Sequence, residues 1–184
     1  MKLAAVIDFE TTGMLKTNPR FEFQPCITQI GCTVVDHEFN VIRQFSTLIN
    51  PDVDEKHWES GAIEITGIGP EEVKDAPTFF LAFSDFAACV LGCDTWAGYN
   101  CPFDQKVLWW QLQRTGLECQ FPWPPRVVDV MQLASRKCQM QGKQGTKNPK
   151  LSEAYEILIG SKFTGAHDAL ADVGATIEVW KKCV

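Results

Sequence analysis

VIDFETTG, residues 6–13, runs apolar residues directly into Asp8-Phe9-Glu10. An acid at the end of a buried strand is costly unless something compensates it. On a strand, positions two apart share a face, so Asp8 and Glu10 point the same way. Two bare carboxylates so placed raise each other's pKa. Either both are solvated at a loop mouth, or a hard divalent cation joins them. Mg²⁺ and Mn²⁺ take such oxygen ligands, leaving positions for water and phosphate.

The run 3–9 reads as a central strand, apolar along its length. Residues 27–36 and 39–49 read as two further strands, joined tightly around Asp36-His37-Glu38. Residues 20–25 read as a loop. Helical spacing then takes over at 57–65, with a turn at 70–73 and a longer helix over 77–91 that has Pro at its start. A short strand at 94–98 leads into a helix over 102–115, closed by Gly116. A brief strand at 126–128 is followed by a helix over 129–138, with Asp129 as its cap. Residues 141–150 form a polar loop, and helices over 151–159 and 168–182 finish the chain. Three antiparallel strands followed by alternating helices and strands specify an α/β sheet with helices on its faces. Sites in such sheets gather at the carboxyl ends of strands. Asp8, Glu10, Tyr99, Asn100 and Asp129 all fall at or just past such ends.

The 184 residues suit one domain, 1–184. A net charge of −6 argues against a broad basic nucleic-acid coat, although local lysines can still hold phosphates. The N-terminal apolar run stops at Asp8, too soon for a signal-peptide core. No apolar run reaches the length of a membrane span. A soluble, intracellular protein is expected, with no membrane partner. Of the eight cysteines, none forms a C-x-x-C pair, so they read as reduced core thiols rather than zinc ligands.

Two later blocks bear on the first. In GYNCPFDQKVL, 98–108, Asp104 sits one turn into a helix that starts after a strand, where it either complements the helix dipole or joins the strand-end acids. In GAHDALADVGAT, 165–176, Asp168 reads as the helix cap. Asp172, among small apolar residues, then faces inward and needs a partner. His167 taken alone is an ordinary helix-end histidine.

Taken in order, Asp-x-Glu, a helix-start Asp and His-x4-Asp resemble the DEDD exonucleases of the DEDDh subgroup, whose best-known type is the proofreading subunit of bacterial replicative polymerases. The resemblance covers essentially the whole chain: IDFETTG at 7–13, EITGIGPEEVKDAPTF at 64–79, AGYNCPFD at 97–104, VVDVMQLA at 127–134, LSEAYEILIG at 151–160 and HDALADVGAT at 167–176. It implies a ribonuclease-H-like mixed five-stranded sheet flanked by helices on both faces. It also implies two divalent cations, Mg²⁺ or Mn²⁺. Asp8 would contact both, Glu10 and Asp172 would complete the first, and Asp104 would hold the second through water. His167 would be the general base, a task that suits histidine near neutral pH. The partner would be the 3′ end of single-stranded DNA or RNA, and the products nucleoside 5′-monophosphates.

The same resemblance points to Thr11, Thr12, Gly13, Met14, Ile68, Asn100 and Phe103 as substrate contacts, with Met14 and Ile68 wedged around the terminal base. Tyr99 stands where many members carry His. Thr66, in TGIG at 66–69, stands where proofreading-type members often carry His, which tilts the substrate only slightly toward DNA. Trp109 and Trp110 read as core packing at helical spacing. Arg136, Lys137, Lys143, Lys147 and Lys150 form the densest basic patch, suited either to incoming phosphates or to plain solvation. Without an appended nucleic-acid-binding module, low processivity is expected. Three other classes compete: a binding or scaffold protein with a dead site, an exoribonuclease of the same family, and a two-carboxylate glycosidase. The filled reactive positions count against the first, and Asp8 and Glu10 stand too close to straddle a sugar. A thiol enzyme lacks a companion histidine block.

Overall fold

The computed structural model describes residues 2–18, 20–142 and 145–184. Strands β1 (Ala4–Thr11), β2 (Ile27–Val35) and β3 (Val41–Leu48) form an antiparallel meander. Helices α1 (Ser60–Thr66), α2 (Pro70–Val73) and α3 (Phe79–Val90) follow. Strand β4 (Thr95–Gly98) pairs parallel to β1, helix α4 (Cys101–Thr115) crosses over, and β5 (Arg126–Asp129) pairs parallel to β4. The sheet order is β3-β2-β1-β4-β5, with β1 at the centre. Helix α5 (Val130–Cys138), the two-residue strands β6 (Gln141–Gly142) and β7 (Gly145–Thr146), helix α6 (Leu151–Ile159) and helix α7 (Ala169–Cys183) complete the chain.

This is the expected mixed five-stranded α/β sheet, and the alternation of β1 explains its two cores. Ala5, Ile7 and Phe9 pack against Phe83 and Phe86 of α3 and Leu108 and Leu112 of α4. Ala4 and Val6 pack on the other face against Val173 and Ile177 of α7. The same period of two carries Asp8 and Glu10 onto the α7 face.

Several boundaries differ from the sequence reading. The region 57–65 is a 3₁₀ turn at Glu55–His57 followed by α1, which ends at Gly67 in a left-handed conformation (φ 70°). The turn at 70–73 is one turn of helix, at whose start the Glu72 carboxylate accepts from the Gly69 amide 2.8 Å away. The loop at 20–25 contains a 3₁₀ turn, Phe21–Phe23, held by Arg114 donating to the Phe21 and Gln24 carbonyls. The polar loop at 141–150 carries the β6–β7 pair, and Lys143 lies outside the described residues. Asp129 caps α5 as expected, accepting from the Met131 amide. Cys26, Cys32, Cys89, Cys93 and Cys101 are buried thiols, whereas Cys119 is exposed. Among the described residues no helix is long and apolar enough to cross a membrane.

One glycine decides how closely α7 approaches the sheet. Gly31 on β2 pairs with Asp8 on β1. A Cβ at Gly31 would run into the Ala169 backbone and stand 2.7 Å from the Leu170 nitrogen. Gly31→Ala is therefore expected to destabilise the protein by about 1–3 kcal/mol, the usual range for overpacking. It should also push the start of α7 away from β1. Urea denaturation checks the stability, and a loss of activity larger than the stability change checks the displacement.

Candidate active site

Three elements deliver the four acids that the sequence singled out. Asp8 and Glu10 come from the end of β1, Asp104 from the first turn of α4, and Asp172 from the first turn of α7. Asp104 and Glu10 are buried, at 3% and 8% exposure, while Asp8 and Asp172 are partly exposed. His167 precedes α7 in a left-handed conformation (φ 70°), which a non-glycine residue adopts only when its surroundings impose it. Its amide donates to Asp172 Oδ2 at 3.2 Å. Potential ligand atoms of Glu10, His167 and Asp172 all lie within 4.8 Å of one another.

The electrostatics is that of an uncompensated acidic cluster. Burial pushes Asp8 well above the usual carboxylate range, and the negative charges of Asp104, Glu10, Asp172 and Asp168 push it further. Burial, with Asp172 and Asp168 next in size, raises Glu10 to about 7. Asp104 is raised well above its ordinary value by burial, which the backbone amides of Phe9 and Asp104 only partly offset. Asp172 is raised by burial, against the opposing pull of the His167 amide and ring. Among the described residues no lysine or arginine pairs with any of these four acids. The Oδ1 of Asp172 is buried without a hydrogen-bond partner. A hard divalent cation fits these carboxylate oxygens, and it would satisfy the orphaned oxygen.

A residue overlooked in the sequence sets the α7 side of the site. Gln29 on β2 pairs with Glu10. Its Nε2 donates to Asp168 Oδ2 at 2.9 Å, and its Oε1 accepts from the Ala169 amide at 3.0 Å. Asp168 caps α7 through the Ala171 amide, as expected. Gln29 thus clamps the helix that carries Asp172 onto the strand opposite Glu10. The signal was a buried polar residue interrupting the apolar run of 27–35.

Beside Glu10 a groove of about 350 Å³ is lined by Thr11, Gly13, Met14, Ile65, Phe103 and neighbouring residues. Thr11, Gly13, Met14 and Phe103 are among the residues that the resemblance names as substrate contacts. A side chain at Gly13 would strike Glu59, which also accepts from the Met14 amide and pairs with Lys16. Three expectations are corrected. Thr12 is fully buried: its hydroxyl accepts from the Cys26 amide and its amide donates to the Cys26 carbonyl, so neither faces the groove. Ile68 is 9% exposed and turned inward, whereas Ile65, at 59%, takes the groove position. The reversal at Gly67 turns the chain between them. Trp109 is 41% exposed rather than core, because Val107, Leu108, Gln111 and Leu112 form the buried stripe of α4. Trp109 and Trp110 line a separate surface groove with Lys16 and Lys106. Asn100 is exposed and caps α4 in a left-handed conformation, and its amide donates to the Asp129 carboxylate at 3.0 Å.

The RNase_T family model, described as an exonuclease, matches residues 5–180. No curated protein matches by sequence. Among solved structures, E. coli exonuclease I in complex with a dA16 oligonucleotide aligns over 96% of this chain and 39% of its own, at 24% identity and a TM-score of 0.72. The zinc-bound E. coli exonuclease I–ssDNA complex aligns over the same shares, at 24% identity and a TM-score of 0.75. A product-bound exonuclease I covers 98% of this chain and 43% of its own, at 21% identity and a TM-score of 0.78. The chain spans about two-fifths of the length of these proteins.

Proposed function

Because this chain belongs to the RNase_T exonuclease family, we propose that it removes nucleotides from the 3′ end of single-stranded nucleic acid, DNA in preference to RNA, as nucleoside 5′-monophosphates. The observation that carries the reading is the convergence of Asp8, Glu10, Asp104 and Asp172 with His167, with no lysine or arginine paired with the acids among the described residues. Those four acids would hold two divalent cations, Mg²⁺ or Mn²⁺. When bound, the cations supply charge stabilisation to the attacking and leaving oxygens of the phosphodiester. The zinc-bound and oligonucleotide-bound forms of E. coli exonuclease I support a divalent cation and a single-stranded DNA substrate.

The chain's own residues supply binding and proton transfer. The apolar walls of the groove, Met14, Ile65 and Phe103, receive the terminal base, and Thr11 and Gly13 flank it. Asn100, which caps the helix that carries Asp104, is a further contact for the substrate. His167, whose backbone is held by Asp172, takes the proton of the attacking water. His167→Ala should lower kcat by about 10²–10⁴-fold, the usual contribution of general-base catalysis. Mn²⁺ should still raise the melting temperature of that variant, because the four carboxylates remain. Differential scanning fluorimetry beside single-turnover kinetics separates the two effects.

The deciding experiment uses 5′-labelled single-stranded DNA and RNA of one sequence, with Mg²⁺, with Mn²⁺ and with EDTA. A ladder shortening from the 3′ end, dependent on metal and faster on DNA, is expected. A faster RNA ladder would make the chain an exoribonuclease. No shortening of either strand would leave a binding module with a dead site.

A further inference from the structure

Two cavities meet at the acids. The apolar groove has Glu10 at its inner edge. A second, more polar pocket of about 320 Å³ is lined by Lys150, Ser152, Phe163, His167 and Asp172. Glu10 lines the first and His167 and Asp172 the second, and the potential ligand atoms of the three lie within 4.8 Å of one another. An exonuclease that releases mononucleotides keeps one nucleotide on the 3′ side of the bond it cuts and the remaining strand on the other. The groove suits the single terminal base, which leaves the polar pocket for the strand's 5′ side.

The basic residues of the 136–150 segment are not equivalent there. Lys147 is engaged by both oxygens of Glu153, at 2.8 and 3.1 Å. Arg136 and Lys137 lie in the last turn of α5. Lys150 is exposed, lines the pocket beside His167, and forms no ion pair among the described residues. Its backbone is held on both sides. Its own amide donates to Glu153 Oε2 at 2.7 Å. The preceding residue, Pro149, is buried, and its carbonyl accepts from the Tyr99 hydroxyl at 2.9 Å. Tyr99 follows β4 directly and immediately precedes Asn100, the cap of α4, so the phenol ties Lys150 to the same strand end that leads into Asp104.

We propose that Lys150 binds the phosphate on the 5′ side of the scissile bond, and that Tyr99, acting through Pro149, is the residue that positions it. This assignment rests on the exonuclease reading above. An ammonium held by a braced backbone contacts a phosphate with less ordering on binding than a lysine on a free loop. It also makes one contribution to the salt dependence of single-strand binding.

The test compares 5′-labelled single-stranded DNA with the p-nitrophenyl ester of thymidine 5′-monophosphate, in which nitrophenolate replaces the whole 5′-side strand as leaving group. Lys150→Ala should lower kcat/KM on DNA about tenfold, chiefly through KM, which is the worth of one charge-assisted hydrogen bond. The ratio of DNA to ester kcat/KM should fall by the same factor. The slope of log affinity against log salt should become shallower by about 0.7. Lys150→Arg should restore both, and Tyr99→Phe should shift the ratio in the same direction by a smaller factor. Equal losses on DNA and ester, or an unchanged salt slope, would overturn the role of Lys150. An unchanged ratio in Tyr99→Phe would overturn the positioning role. A wild-type protein that hydrolyses neither substrate would remove the exonuclease reading and this assignment together. A wild type active on DNA with an unaffected Lys150→Ala removes this assignment alone.

Discussion

Asp8→Asn is expected to abolish hydrolysis of single-stranded DNA while raising the melting temperature of the metal-free protein. Asp8 stands at the centre of the acidic cluster, and its ionised form is opposed by burial and by Asp104, Glu10, Asp172 and Asp168 together. Removing its charge relieves that repulsion and leaves a side chain of the same shape. Each kcal/mol so recovered corresponds to about 2–4 °C in a domain of this size. Without the charge the cluster loses the member that all the other acids face, and the rate should fall at least ~10³-fold, as when one member of a cooperating catalytic set is removed. The two effects point in opposite directions, which separates a functional acid from a structural one. A structural Asp8 would give a lower melting temperature in the variant with activity lost in proportion. Thermal unfolding in EDTA and initial rates in Mn²⁺ decide between them.

Raising the pH should destabilise the metal-free protein through the same acids, and a divalent cation should cancel the effect. Glu10 titrates at about 7 in the folded chain against an ordinary value of 4.5. Between those values the native state holds a proton that the unfolded chain has released, so stability falls as pH rises through that window. Asp8, Asp104 and Asp172 are shifted in the same direction. The acids shifted downward, such as Glu59 and Glu153, act oppositely, but their effect is lost only as pH falls below the ordinary carboxylate value. For Glu10 alone the penalty at neutral pH is about 3 kcal/mol at most. The chelated protein should therefore melt several degrees higher near pH ~5 than near pH ~8. Saturating Mn²⁺ should raise the value at the higher pH most, because it binds the ionised acids. A concentration one hundred times the dissociation constant is worth about 2.7 kcal/mol. A chelated protein equally stable at both pH values would show that the acids are solvated and separate.

The acids were legible in the sequence because each is tied to a local rule. Asp8 and Glu10 share a face by the period of the strand, Asp104 falls in the first turn of a helix, and Asp168 takes the cap position and leaves Asp172 inward. These rules need only a few neighbouring residues, and the structure brings Glu10, Asp104 and Asp172 into electrostatic contact with Asp8. The groove contacts were read less well. The resemblance names Ile68, but the left-handed Gly67 turns the chain so that Ile65 lines the groove instead, and it names Thr12, which is tied to Cys26, fourteen residues away. Trp109 and Trp110 followed the helical period, but the period does not say which stripe of α4 meets the sheet.

The order of strands and helices, the strand-end acids and the capping residues follow from the sequence by itself, because each depends on dihedral preference and on repeats over a few positions. Only the tertiary structure decided how near α7 comes to β1, through the missing side chain of Gly31 and the clamp of Gln29 on Asp168 and Ala169. Only it set Lys150, braced by Tyr99 through Pro149, beside His167. Those contacts join residues 50 to 140 positions apart in the chain. No local pattern encodes them: they exist only where packing of the two sheet faces brings the segments together.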